Sequence, residues 1–305
     1  MSIINKFDFL YQLLLSQKTK KRSERIILVI AIASFILHLM LILLVDYGFI
    51  NLPNSGGLLK NPIAAIYTPF SFILVYEVYL LLFYLPKSIT TYISKQYEII
   101  TLIVIRRLFK DLSNLSLSSD WFSIKYDLQF TYDLIASVIL FFLIYQFYKK
   151  GKIDYKADVS DQSYSPDVAR FIKIKKLLAT FLVPVLIFLA FYSIINWSIS
   201  TLNPGGVSFE NINNIFFEQF FTILIIADVV LLLVSFFYTD EFHKVIRNSG
   251  FIISTILIRL SFSVTGLLNT LLIVAAIVFG LIMLIIHNKF EANIAKKVPG
   301  EVKNQ

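Results

Sequence analysis

The chain has 305 residues, of which 57% are hydrophobic and 16% charged, with a mean hydropathy of +0.74 and a net charge of +8. The absence of cysteine excludes disulfides, thiolate metal sites, iron–sulfur clusters and cysteine nucleophiles. The three histidines, His38, His243 and His287, are too few and too scattered for paired haem ligation, so neither cofactor nor metal is expected.

Soluble domains carry about 25% charged residues. Here the apolar residues gather in runs of roughly 20, the length a helix needs to cross a bilayer, and the short alternating segments of a porin-like barrel are absent. The expected fold class is therefore an all-α, polytopic transmembrane helix bundle of about eight spans.

Residues 3–15 place Ile3, Ile4, Phe7, Leu10, Tyr11 and Leu14 near helical spacing and read as a short interfacial helix. Residues 1–25 form an N-terminal segment closed by the basic cluster Lys18, Lys20, Lys21, Arg22 and Arg25. The first span, about Ile26–Val45, lacks a small-residue cleavage site after it and reads as an uncleaved anchor. Leu52, Pro53, Asn54, Ser55, Gly56 and Gly57 then mark a turn.

The second span covers about Thr68–Leu85. The third, a helix from Ser88 to about Leu115, is irregular because Lys95, Glu98, Arg106, Arg107 and Lys110 flank Ile99–Ile105. The fourth covers about Asp133–Tyr148 and completes a first four-helix unit, residues 26–150. Residues 151–170 are a polar linker. A second unit, residues 171–288, has spans near Leu177–Trp197, Phe217–Tyr238, Gly250–Thr265 and Leu267–Ile286, and a basic tail occupies 289–305.

With the N-terminus inside and eight alternating spans, 22 of the 28 Lys and Arg residues fall on the cytoplasmic side. This positive-inside bias predicts cytoplasmic termini, a location in the membrane (the bacterial inner membrane) and a bilayer partner with anionic lipid at its cytoplasmic face. The positive charge is thereby accounted for without nucleic acid.

Three features recur at offsets of about 150 residues: Gly56-Gly57 with Gly205-Gly206, Glu77 with Asp228, and Ile105-Arg106 with Ile258-Arg259. The recurrence predicts a 4+4 parallel tandem repeat, by analogy with repeated transporters.

Charges inside spans are costly and need partners. Glu77 is expected to pair with Arg106 or Arg107, and Asp228 with Arg259. These residues and His38, midway along the first span, are the candidate substrate- or ion-binding set. One reading makes them a path for an ion, a proton or a small charged solute between the repeats. The other has them pin helices together in a non-transporting membrane scaffold or a subunit of a larger complex, with a homo-oligomer among the partners considered. No Walker loop, H-E-x-x-H, G-x-S-x-G or G-x-G-x-x-G is present, so no catalytic residues and no enzyme activity are expected.

Overall fold

The computed structural model describes residues 3–49, 62–112, 125–152, 166–201, 209–238, 241–264 and 266–297. Among them the chain forms nine α-helices: α1 (Ile3–Leu15), α2 (Gln17–Asp46), α3 (Tyr67–Tyr84), α4 (Ile89–Leu112), α5 (Lys125–Gly151), α6 (Pro166–Thr201), α7 (Phe209–Ser235), α8 (Phe242–Ser261) and α9 (Leu267–Lys297). A short 3-10 turn, Pro62–Ile66, leads into α3. The Gly-Gly turns at 56–57 and 205–206, residues 153–165 of the expected linker, and residues 298–305 of the tail lie outside the described residues.

Local chemistry sets the breaks between helices. Ser16 adopts an extended backbone between α1 and α2, and its Oγ accepts the Thr19 amide at 3.1 Å, capping the N-terminus of α2. Ser88 does the same for α4 through the Thr91 amide at 3.2 Å. Gly266, at φ +74°, makes the tight return from α8 to α9 in a conformation that favours glycine.

α8 and α9 pack closely along their lengths. Ser254 Oγ donates to the Ala276 carbonyl at 2.6 Å, and Asn269 Nδ2 donates to the Ser261 carbonyl at 2.6 Å. Gly250 faces Met283, and Gly280 faces Tyr97 and Ser254. α9 also packs along α5, while α4 lies against α3, α5 and α8. Where α4, α5 and α8 meet, the fully buried Tyr97, Phe147 and Phe251 pack ring to ring, with centroids 5.1 and 5.6 Å apart.

The eight-span bundle expected from composition is corrected. Among the described residues three stretches are long and apolar enough to cross a membrane: Phe7–Asp46, Asp127–Gly151 and Leu267–Ile294. Thr68–Tyr84 and Gln219–Ser235 are apolar but shorter. The helices α4 and α8 do not qualify by composition, and polar residues occupy their buried faces as well. Thr91, Ser94, Gln96, Thr101, Arg106 and Asp111 of α4 are buried, as are Asn248, Ser254, Thr255 and Ser261 of α8. These faces are spent on polar contacts inside the protein.

The span count carried the topology, so its failure removes the basis for orienting the chain by its charges. The cytoplasmic termini, the inner-membrane location and the bilayer partner with anionic lipid are withdrawn with it. α1 and α3 pack on α6, α4 on α8, and α5 on α9, around one continuous apolar core.

The close approach at α9 can be tested. A Cβ at Gly280 would meet Tyr97 Cζ at 3.0 Å and Ser254 Oγ at 3.2 Å, and would clash harder with Tyr97 Oη. Alanine normally gains about 1 kcal/mol over glycine in a helix. Gly280→Ala is nevertheless expected to lower stability by about 1–3 kcal/mol, read by thermal or denaturant unfolding. A neutral or stabilised variant would show that the helices have room to separate.

Candidate metal centre

The charges singled out in the sequence are brought together with other partners than those expected. Arg107 does not reach a carboxylate on α3. Its Nε and Nη2 grip both oxygens of Asp133 on α5, the second at 2.7 Å, and its Nη1 donates to Asn269 Oδ1 at 2.7 Å. Gln129 Nε2 and Thr270 Oγ1 also donate to Asp133, each at 3.0 Å. Asp133 is wholly buried, and these bonds tie α4, α5 and α9 into one unit.

Asp228 on α7 is 2% exposed. It accepts from Tyr92 Oη at 2.8 Å and Gln96 Nε2 at 2.9 Å, both on α4, rather than from Arg259. Arg259 lines a cavity of about 20 Å³ together with Gln96, Asp228 and Thr255, room for about one water molecule. Arg106 is buried on α4. Glu77 is half-buried on α3, with Oε2 lacking a hydrogen-bond partner among the described residues, and the charges acting on it are Lys95, Glu98, Lys20 and Glu24. His38 Nδ1 meets Thr68 Oγ1 at 2.5 Å, joining α2 to α3.

The expectation of transport or conduction is overturned by this arrangement together with the span count. Asp133, Arg107 and Asp228 are engaged by protein hydrogen bonds, and the metal-type donors that do converge lie elsewhere, on residues the sequence reading set aside. The scaffold or membrane-complex alternative rested on the same eight spans and is withdrawn too.

The convergent set is His243, His287 and Glu291, whose donor atoms all lie within 4.8 Å of one another. Helix geometry brings them there. His287 and Glu291 are one turn apart on α9 and share a face, while His243 sits in the first turn of α8. The antiparallel return at Gly266 lays that turn beside the far end of α9, so the two imidazoles stack with centroids 5.2 Å apart and planes 20° apart. Phe290 continues the stack on His243.

His287 is 3% exposed. Its Nε2 lies 3.1 Å from Glu291 Oε1 and 2.7 Å from Arg247 Nη1. A guanidinium can only donate, so in that contact Nε2 accepts and the imidazole is neutral, with its proton on Nδ1. Nδ1 is buried without a hydrogen-bond partner, although the backbone of His243 faces the ring. Arg247 places two further donors on Asn248 Oδ1, through Nε at 3.2 Å and Nη2 at 3.0 Å.

At the edge of the cluster Glu241, the residue preceding α8, lies 3.3 Å from His243 Nε2 and accepts from Lys244 Nζ at 2.6 Å. The Lys244 bond holds its carboxyl below the usual carboxylate range. Sequence reading missed this set because it looked for histidines close in sequence. The available signal was His287-x-x-x-Glu291, together with the nearly equal distances of His243 and His287 from the Gly266 turn.

Two tests address the buried charges. Asp133→Asn leaves Arg107 without its carboxylate and is expected to cost about 3 kcal/mol in denaturant unfolding. A loss of a few tenths would mean that the network is dispensable. Lys175 on α6 is 6% exposed and donates to the Lys87 carbonyl at 2.8 Å. Burial pulls its pKa down to about 8 from 10.5, opposed by Asp228 and assisted by Arg247. Between those values the unfolded chain holds a proton that the folded chain has released, so stability should rise with pH from about 8 to 10.5, by up to about 3 kcal/mol. Lys175→Met should flatten that rise, and an unchanged slope would assign it to another group. Searched against protein-family models, curated proteins and solved structures, the chain matches none of them.

Proposed function

We propose that the chain binds a divalent transition-metal ion at His243, His287 and Glu291, clamping the start of α8 to the end of α9. The carrying observation is the convergence of two imidazoles and a carboxylate from two helices within 4.8 Å. Two ligands held about 2.0–2.1 Å from a tetrahedral ion are about 3.3 Å apart. His287 Nε2 and Glu291 Oε1, at 3.1 Å, already stand at that spacing.

The donor chemistry narrows the ion. Imidazole nitrogens suit zinc, nickel, copper or iron, whereas magnesium and calcium favour all-oxygen sets. Zinc is the natural probe because it accepts mixed nitrogen and oxygen ligands in tetrahedral sites. Burial of His287 favours a neutral imidazole, the form that binds metal. A shift of the His287 ring toward the His243 backbone would give Nδ1–H an acceptor, the second hydrogen bond that usually orients a metal-bound histidine.

The proposed role is binding of the ion. Outside the ligand set, Glu241 is held by Lys244 at 2.6 Å.

The test uses tag-free, chelator-treated full-length protein, titrated calorimetrically with Zn²⁺ and spectroscopically with Co²⁺, whose visible bands report tetrahedral coordination. One ion per chain is expected. His287→Ala and Glu291→Gln should each weaken binding by at least about tenfold, in keeping with the cost of disturbing a metal's ligand environment. Helical content by circular dichroism controls for folding. Binding that persists unchanged in both variants would place the metal elsewhere.

A further inference from the structure

We infer that Arg247 is a tethered competitor of the metal, a cation built into α8 that occupies the His287 lone pair and must swing away for an ion to bind. The inference rests on the metal reading of the His243–His287–Glu291 cluster and assigns its regulation.

The geometry is exclusive. Arg247 Nη1 stands 2.7 Å from His287 Nε2. An ion bonded to that lone pair at about 2.0–2.1 Å would lie within about 1 Å of Nη1, so the two cannot be present together. Deprotonation offers no escape, because a guanidinium stays charged. Metal binding therefore requires movement of Arg247.

Nε and Nη2 both bond to Asn248 Oδ1, at 3.2 and 3.0 Å. The guanidinium is a rigid plane, so displacing Nη1 moves the whole fork and its bonds to the buried Asn248 must shift with it. Arg247 is itself only partly exposed, and Glu291 and Glu241 both act on it electrostatically. A divalent ion would thus take over the attraction that Arg247 now makes to Glu291. The guanidinium compensates the converging donors, and the site admits only ions that bind them more strongly than a single positive charge does.

The same contact has a structural reading, in which Arg247 merely orients His287 for the metal. The two readings differ in sign. Arg247→Gln removes the competing charge and is expected to tighten Zn²⁺ binding by about tenfold or more in calorimetric titration. Arg247→Lys keeps the charge without the planar fork and should fall between Arg247→Gln and wild type. An orienting residue would give weaker binding on removal.

The outcomes separate the two claims. Tighter binding in Arg247→Gln supports the competitor role, including the case in which wild type binds too weakly to detect. Equal or weaker binding in the variant, with wild type binding one ion, overturns the competitor role and leaves the metal site standing. No binding in either protein, with the unfolding temperature of Arg247→Gln unchanged, overturns both. If Arg247→Gln fails to fold, Arg247→Lys carries the test, since a competitor weakened by loss of the fork must still give tighter binding than wild type.

Discussion

The close approach of α8 and α9 is the constraint on which the rest of the structure depends. Two helices can touch along their lengths only where side chains are small or absent at the contact. Here Gly250, Ser254, Ala276 and Gly280 supply that line, and the Ser254 Oγ to Ala276 carbonyl bond at 2.6 Å marks how near the backbones come. Tyr97 of α4 then inserts its hydroxyl against Ser254 at 2.7 Å, so the third helix is keyed into the same seam. Because the seam fixes the register of α8 on α9, it also fixes which residues face one another at the open end of the hairpin. His243 meets His287 for that reason.

The interior charges follow a different logic. An unpaired buried carboxylate would cost several kcal/mol, and both Asp133 and Asp228 avoid this by collecting donors. Asp133 takes a forked guanidinium, an amide and a hydroxyl; Asp228 takes a phenol and an amide. Each set crosses between helices, α4 to the next helix α5 and to the distant α9 in one case, α4 to α7 in the other. These groups specify which helix lies beside which, a role that apolar packing of near-uniform Leu, Ile and Phe surfaces fills poorly.

How much of this was legible in the sequence depended on range. Helices were readable from local pattern, and the irregularity of α4 was visible in Lys95, Arg106 and Arg107. Glu77 and Asp228 could be seen as interior charges, but not their partners, because a hydrogen bond such as Gln96 to Asp228 joins residues that no periodicity connects; Asp133, at the expected edge of a span, was not legible as interior at all. Hydropathy also misplaced two boundaries that matter. It started the seventh helix at Gly250 and ended the eighth at Ile286, whereas α8 begins at Phe242 and α9 runs to Lys297. The polar turns so discarded hold His243 and Glu291. A helix stop signal in the sequence, Pro299-Gly300, was passed over and would have kept Glu291 within the expected helix. Counting apolar runs as crossings was the other error. It treated every long hydrophobic helix as facing lipid, when α4 and α8 turn polar faces toward their neighbours.

Asp133 and Asp228 on one side, and the His287 cluster on the other, show two states of a buried polar group. Around the aspartates the contacts agree, donors meeting acceptors, although burial still raises the Asp228 carboxyl to about 7 against the opposing pull of Gln96, Tyr92 and Lys175. Around His287 the contacts disagree. One nitrogen has both a guanidinium and a carboxylate within 3.1 Å, and it cannot accept from the first while donating to the second. The other nitrogen is buried without a hydrogen bond. Folding for stability alone would remove such a conflict, since replacing Arg247 or Glu291 with a neutral residue would relieve it. Under the proposed metal reading, one added cation relieves the conflict by displacing Arg247 and taking both the lone pair and the Glu291 charge. The aspartate networks hold the helices, whereas His287 is held by contacts that one ion would reorganise.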